Sequence, residues 1–258
     1  MPEGDTIHIA AARIRETLAG RAPDAIRTPH PRLRAAAWPE RLAGRRVAAV
    51  DAHGKHLFIR FEGGLTIHSH LRMTGAWRIY GAGEPWRRSR GSAWLVIERA
   101  GRQAVQFGGP VLELAEDGRL RADPRIAALG PDVLAEHFDE GAFLRRLRAD
   151  DPRRPFGDAL LEQRTVAGIG NVWKSESCHA AGVDPCRPVA AVSDGEALAA
   201  IAFARSEMAR CVREGILTRP RAVYRRTGRP CPRCGGRISA GAQWENGRVT
   251  YWCPACQR

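Results

Sequence analysis

Two Cys-x-x-Cys knuckles constrain this chain more than any other feature. Cys231-Pro-Arg-Cys234 and Cys253-Pro-Ala-Cys256 stand 18 residues apart. Knuckles at this spacing supply four thiolates to one tetrahedral ion, the donor set of a structural Zn2+. Between them, Asn246-Gly247 is a strong two-residue hairpin signal, and Arg248-Val249-Thr250-Tyr251-Trp252 follows it. The spacing predicts a zinc ribbon, a β-hairpin pinned at its base by one structural ion. A hairpin this short cannot hold itself by core burial, so the metal must hold it. All four cysteines are used, and no open catalytic position is implied. The other three, Cys178, Cys186 and Cys211, are expected as buried, inert thiols. An odd total of seven, with no signal-peptide pattern at the N-terminus, argues against a disulfide framework.

Charge narrows the partner. Net charge is +13, a field that attracts polyanions. Of 41 basic residues only Lys55 and Lys174 are lysines. Lysine titrates where arginine does not, so each is worth inspecting. No apolar run reaches membrane-spanning length. The expectation is a cytoplasmic protein with no membrane partner.

Periodicity divides the chain. Ile7, Ala11, Ile14 and Leu18 form one helical stripe over residues 5–19. Residues 45–114 read as short strands: Leu57, Ile59 and Phe61 alternate, Glu62-Gly63-Gly64 turns, and Leu65 and Ile67 alternate back. Trp94–Ile97 and Ala104–Phe107 flank a turn at Ala100-Gly101-Arg102. Residues 81–92 form a basic loop, and Gly130-Pro131 is the expected hinge. Helical patterns then occupy 140–149, 157–164, 172–181 and 194–213, with a capping box at Ser193-x-x-Glu196. In VAGIGNVWKSES (166–177), Gly168-Ile169-Gly170 turns tightly into a helix start at Asn171. Such a start offers free N–H groups to a phosphate, or Asn171 serves as an ordinary N-cap.

The first residues, MPEGDT, raise a chemical possibility. Methionine before proline is normally removed, leaving Pro2 with a free secondary amine. An α-amino group titrates near about 7.7–8.0, so this one could act as a nucleophile at neutral pH. Pro2 could equally be a helix-start residue.

The segments MPEG, HGKHLFIRF, HSHLRMTG, GPDVL, LLEQRTVAGIGNVWKSES and YWCPACQR occur in this order over nearly the whole chain. Together they resemble the formamidopyrimidine-DNA glycosylase and endonuclease VIII family, most closely its endonuclease VIII branch of actinobacterial type. The resemblance implies an α+β fold: an N-terminal β-sandwich lobe with an N-terminal helix, then a helical helix–two-turn–helix lobe ending in the zinc-ribbon hairpin. The expected domains are 1–130, 131–222 and 223–258. It implies a monomeric bifunctional DNA glycosylase and AP lyase that acts on damaged DNA, with oxidised pyrimidines favoured over oxidised purines.

The resemblance also assigns roles. Pro2 matches the nucleophile that attacks C1′. Glu3 matches the acid that assists sugar-ring opening. Lys55 matches the β-lobe lysine near sugar and phosphate. Asn171 and Arg248 match residues that grip the backbone phosphates, and Arg248 supports the second elimination. Glu176 matches a supporting glutamate. Met73 is placed as the apolar wedge that fills the space of an extruded base, or is a core methionine, with Arg72 beside it to contact the DNA or the orphaned base. Trp77 and Arg78 are expected to be structural.

Four departures from the family pattern are present, the first two leaning towards oxidised pyrimidines and the last two bearing on gap filling and DNA contacts. Thr6 stands where many relatives carry glutamate. Gly157 stands where the oxidised-purine branch has lysine. The segment QFGGP (106–110) lacks that branch's Arg-Phe gap filler. Ala128 precedes LGPD where endonuclease VIII relatives carry arginine. An oxidised-purine glycosylase of the same family, a non-catalytic zinc-ribbon binder of damaged or single-stranded DNA, and a ribbon that binds a protein partner are the alternative readings.

Overall fold

Alternating apolar residues and glycine turns between residues 47 and 116 build a two-sheet core. The computed structural model describes residues 2–34, 36–217, 221–242 and 247–258. Those residues fall into two units, one of Pro2 and Thr6–Ala127, the other of Glu3–Asp5 and Ala128–Arg258.

The first unit begins with most of α1 (Gly4–Leu18), then β1 (Ala25–Arg27), α2 (Pro31–Arg34) and α3 (Trp38–Leu42). The strands β2 (Val47–His53), β3 (His56–Phe61), β4 (Leu65–His70), β5 (Ala76–Tyr80), β6 (Ala93–Arg99), β7 (Arg102–Phe107) and β8 (Val111–Glu116) follow. Two short helices, α4 (Asp117–Ala122) and α5 (Pro124–Ala127), close it. One antiparallel sheet runs β2-β3-β4-β8 and the other β1-β6-β7-β5. Leu57, Ile59 and Ile67 of the first share one core with Leu95, Ile97 and Trp77 of the second. The predicted stripe of α1, Ile7, Ala11, Ile14 and Leu18, packs into the same core. The outer face of β2-β3-β4-β8 is different: His53, His56, His68, His70 and Glu113 lie on it by alternation.

The second unit packs α6 (Glu140–Arg148), α7 (Phe156–Leu161), α8 (Asn171–Ala181) and α9 (Asp194–Glu214) with the hairpin β9 (Ser239–Ala242) and β10 (Val249–Trp252). The capping box of α9 forms as expected: Ser193 accepts from the Glu196 N–H, and Glu196 accepts from the Ser193 N–H. The hairpin pairs Val249 with Ala242 and Trp252 with Ser239. Of the expected Asn246-Gly247 turn, Asn246 lies outside the described residues. Cys178 and Cys211 are buried, but Cys186 is exposed, which corrects the expectation for that thiol. Cys186 follows Pro185 in the segment between α8 and α9, where no apolar stripe draws it inward. Among the described residues, no helix is long and apolar enough to cross a membrane.

Candidate active site

The residue after Pro2 is held by an unusually complete set of donors. The Glu3 carboxylate is buried and accepts from the N–H groups of Gly170 (3.1 Å), Val172 (2.8 Å) and Trp173 (3.2 Å). The Gly4 N–H donates to the Gly168 carbonyl at 2.9 Å. Glycine is required on both sides of this docking. A Cβ on Gly170 would lie 2.3 Å from Glu3 Cδ, and one on Gly4 would lie 3.0 Å from Gly168 Cα. Gly168 itself has φ 108, a conformation that favours glycine. The free N–H groups at the start of α8 therefore bind a carboxylate from the chain's own beginning. Three of those N–H groups are taken by Glu3, and Gly170, not Asn171, is the N-cap.

One side of α8 is polar and buried. Asn171 donates one amide N–H to the Val249 carbonyl (2.8 Å), leaving its second N–H as a further donor. Lys174, fully buried, donates to the Thr250 hydroxyl at 2.5 Å. Burial pulls the Lys174 ammonium down to about 8, with smaller opposing pulls from Cys178 and Asp158. Glu176 accepts from three consecutive N–H groups, Ala222 (2.8 Å), Val223 (3.1 Å) and Tyr224 (2.8 Å). His179 Nε2 lies 3.3 Å from Cys231 Sγ. One helix thus organises the hairpin and the segment leading to it. It anchors β10 at the two residues that follow Arg248, whose own side chain is exposed.

The four knuckle sulfurs, Cys231, Cys234, Cys253 and Cys256, lie within 4.8 Å of one another. Cys231 and Cys256 are 3.8 Å apart, and Cys234 and Cys253 are 3.5 Å apart. A disulfide needs about 2.05 Å, whereas sulfurs bound at about 2.3 Å around a tetrahedral ion stand about 3.8 Å apart. The arrangement fits metal ligation. His179 stands beside Cys231, where its ring N–H supports a ligating thiolate.

In the first unit, Lys55 occupies the β2–β3 turn with Gly54 (φ 56). His56 pairs with His70, so that turn and the loop after β4 share one end of the sheet. The loop, Leu71–Gly75, is closed by a Gly75 N–H bond to the Leu71 carbonyl at 3.0 Å. Arg72 has φ 50, left-handed for a non-glycine residue, and its N–H donates to His70 Nδ1 at 3.1 Å. Met73 at the tip is 63% exposed, so it is not a core methionine. Trp77 is buried and donates from Nε1 to Ser69 Oγ, in keeping with a structural role. Segment 106–110 turns back on itself: Gln106 bonds the Gly108 carbonyl, and Gly108 and Gly109 have positive φ.

Sequence reasoning missed Lys174 as an anchor of β10, although the scarcity of lysine had singled it out. It missed His179 and the histidine face as well, because His179 meets Cys231 and His68 meets Glu113 far along the chain.

Comparisons with known proteins agree. Residues 1–125 match the formamidopyrimidine-DNA glycosylase N-terminal domain, and residues 129–220 match the H2TH domain of the same enzyme. The chain is 41% identical to a probable endonuclease 8 2 of Streptomyces coelicolor, covering 100% of this chain and 94% of that protein. It is 38% identical to the DNA-(apurinic or apyrimidinic site) lyase Nei2 of Mycolicibacterium smegmatis, covering 100% and 99%. Its fold superposes on a Lactococcus lactis Fpg complex with abasic-site DNA at TM-score 0.84 and 23% identity, covering 99% of each chain. The chain therefore belongs to the formamidopyrimidine-DNA glycosylase and endonuclease VIII family of base-excision-repair DNA glycosylases and AP lyases, on its endonuclease VIII branch.

Proposed function

We propose that this protein excises oxidised bases from DNA, pyrimidines in preference to purines, and cleaves the strand by successive β- and δ-elimination with Pro2 as nucleophile. The observation that carries this is the docking of Glu3 on the Gly168–Gly170 turn, which fixes the residue bonded to Pro2. With Met1 removed, the Pro2 nitrogen attacks C1′ and the damaged base departs with the glycosidic electron pair. Glu3 takes the proton from the new ammonium and delivers it to O4′ as the C1′–O4′ bond breaks, leaving an iminium. The iminium acidifies C2′–H, and loss of that proton expels the 3′ phosphate. A second proton loss, from C4′, expels the 5′ phosphate. Water then releases Pro2.

Lys55 attends the sugar and phosphate. Asn171 and Arg248 grip the phosphates, and Arg248 assists the second elimination. Met73, with Arg72 beside it, fills the space of the extruded base. The preference for pyrimidines rests on Thr6, where many relatives carry glutamate, and on Gly157, where the oxidised-purine branch carries lysine. The knuckle ion is Zn2+, which holds the hairpin and takes no part in bond making.

The test is borohydride reduction in the presence of a thymine-glycol duplex, followed by mass mapping of the adduct. The expected site is Pro2, and trapping should vanish when the terminus is acetylated. An adduct on another residue overturns the assignment. A panel of duplexes bearing oxidised pyrimidines and purines tests the preference.

A further inference from the structure

Hydrogen bonds and one ring contact link four side chains across the outer face of β2-β3-β4-β8 and reach the Met73 loop. Glu113 Oε1 lies 2.8 Å from His68 Nδ1. His68 Nε2 lies 2.8 Å from His56 Nδ1. The His56 and His70 rings pack edge to face with centroids 4.8 Å apart. His70 Nδ1 accepts the Arg72 N–H. These contacts fix the proton positions. A carboxylate only accepts, so His68 carries its proton on Nδ1 and presents a bare Nε2; His56 must then donate from Nδ1. His70, which accepts at Nδ1, carries its proton on Nε2.

His68 is buried, His56 and His70 are half-buried, and the three imidazoles are held in their neutral form. Burial, aided by neighbouring cations, holds His56 down to about 2 and His70 down to about 4, and burial also lowers His68. The charged and titratable groups facing it are His53 on β2, Lys55 in the turn, Arg72 in the loop, Glu113 on β8, and Asp123 and Arg125 beside α5. A sheet face of this kind can be covered by apolar residues, as Phe58, Ala115 and Leu120 do a few positions away. A buried polar network is costly unless every member is satisfied, and it specifies one arrangement when it is. What this one specifies is the left-handed Arg72, a strained conformation that persists only where its surroundings over-determine it.

We propose that the Glu113–His68–His56–His70 ladder is a positioning device that holds the Arg72–Met73 loop ready to enter DNA. The proposal rests on the reading of Met73 as the wedge. His68 and Glu113 act only through His56 and His70, so their loss should matter through the loop alone.

The test is stopped-flow fluorescence of a duplex carrying 2-aminopurine opposite a thymine glycol, with the full chain and its bound metal. Met73→Ala should slow the rise in fluorescence by about tenfold, since unstacking then lacks its wedge. His68→Phe should slow it by about fivefold. The double variant should be no slower than Met73→Ala, because both changes disable one element. Glu113→Ala, at a partly exposed side chain whose loss spares the core, should repeat the result if His68→Phe fails to fold. Effects that multiply in the double variant, or an unchanged rise in Glu113→Ala, overturn the ladder's role. A rise unaffected by Met73→Ala overturns the wedge reading first and takes the ladder's role with it. Borohydride trapping on abasic DNA in the same variants reports Pro2 chemistry separately.

Discussion

Gly170 shows how a missing side chain makes room for a buried carboxylate. Its missing Cβ leaves room for the Glu3 carboxyl, which a methyl group would approach to 2.3 Å. Alanine there must push Glu3 off its three N–H donors. Gly170→Ala is expected to cut single-turnover excision by at least about tenfold, at a stability cost of about 1–3 kcal/mol. Rapid-quench kinetics and urea unfolding on the same sample check it, and wild-type rates would mean that the docking is incidental. The histidine face gives a second expectation. Neutral His56 and His70 are favoured in the fold, with values near 2 and 4. The unfolded chain takes up those protons near its ordinary histidine value of about 6.5. Their contribution to stability is therefore full above about pH 6.5 and declines as pH falls towards 4, the folded state losing ground throughout that window. Urea midpoints at pH 7, 6 and 5 should fall in that order, and the drop should shrink in His56→Phe. Equal pH slopes in both proteins would remove His56 from the account.

At the scale of elements, the sequence was legible wherever a pattern repeats locally. The α1 stripe, the Glu62-Gly63-Gly64 hairpin and the Ser193 capping box all depend on residues a few positions apart, and each formed as expected. The buried polar side of α8 did not show, because periodicity registers apolar residues. Its partners lie tens of positions away: Asn171 with Val249, Lys174 with Thr250, Glu176 with residues 222–224. The family likeness supplied Asn171 and Arg248, and the Asn171 bond to the Val249 carbonyl ties α8 to the residue next to Arg248. Thr250→Val deletes the hydroxyl that accepts from Lys174 and leaves the ammonium short of a buried partner, at an expected cost of about 1–3 kcal/mol. If β10 carries Arg248, the product mixture should also shift towards β-elimination alone. A stability loss with an unchanged β-to-δ ratio on a gel would confine the tether to folding. Cys253→Ser, or a strong chelator, should release the hairpin more completely, because a ribbon this small depends on its ion. Loss of far-ultraviolet hairpin signal together with weakened DNA binding is expected, while Pro2 should still be trappable on abasic DNA at high protein concentration.

Over the whole molecule, the net charge of +13 is carried almost wholly by arginine. Guanidinium groups remain charged at any working pH and match phosphate with paired N–H donors, so DNA affinity should depend on salt far more than on pH. Each phosphate neutralised releases condensed counterions, and log K should fall with log salt at a slope of about −0.9 per contact. The readings of the ribbon separate on this measurement. If Arg248 grips a phosphate, Arg248→Ala should make the slope shallower by about one unit and weaken every DNA sequence alike. A ribbon used for a protein partner predicts the wild-type slope in that variant. Lys55→Ala, in the other unit, should remove a similar unit by itself, and the two losses should add, since each contact releases its own counterions. Titrations of a lesion duplex between about 50 and 200 mM salt span the range in which such contacts change affinity by orders of magnitude. Slopes that fail to add would mean that one contact forms only when the other is made, and the two phosphate grips would then count as one binding event.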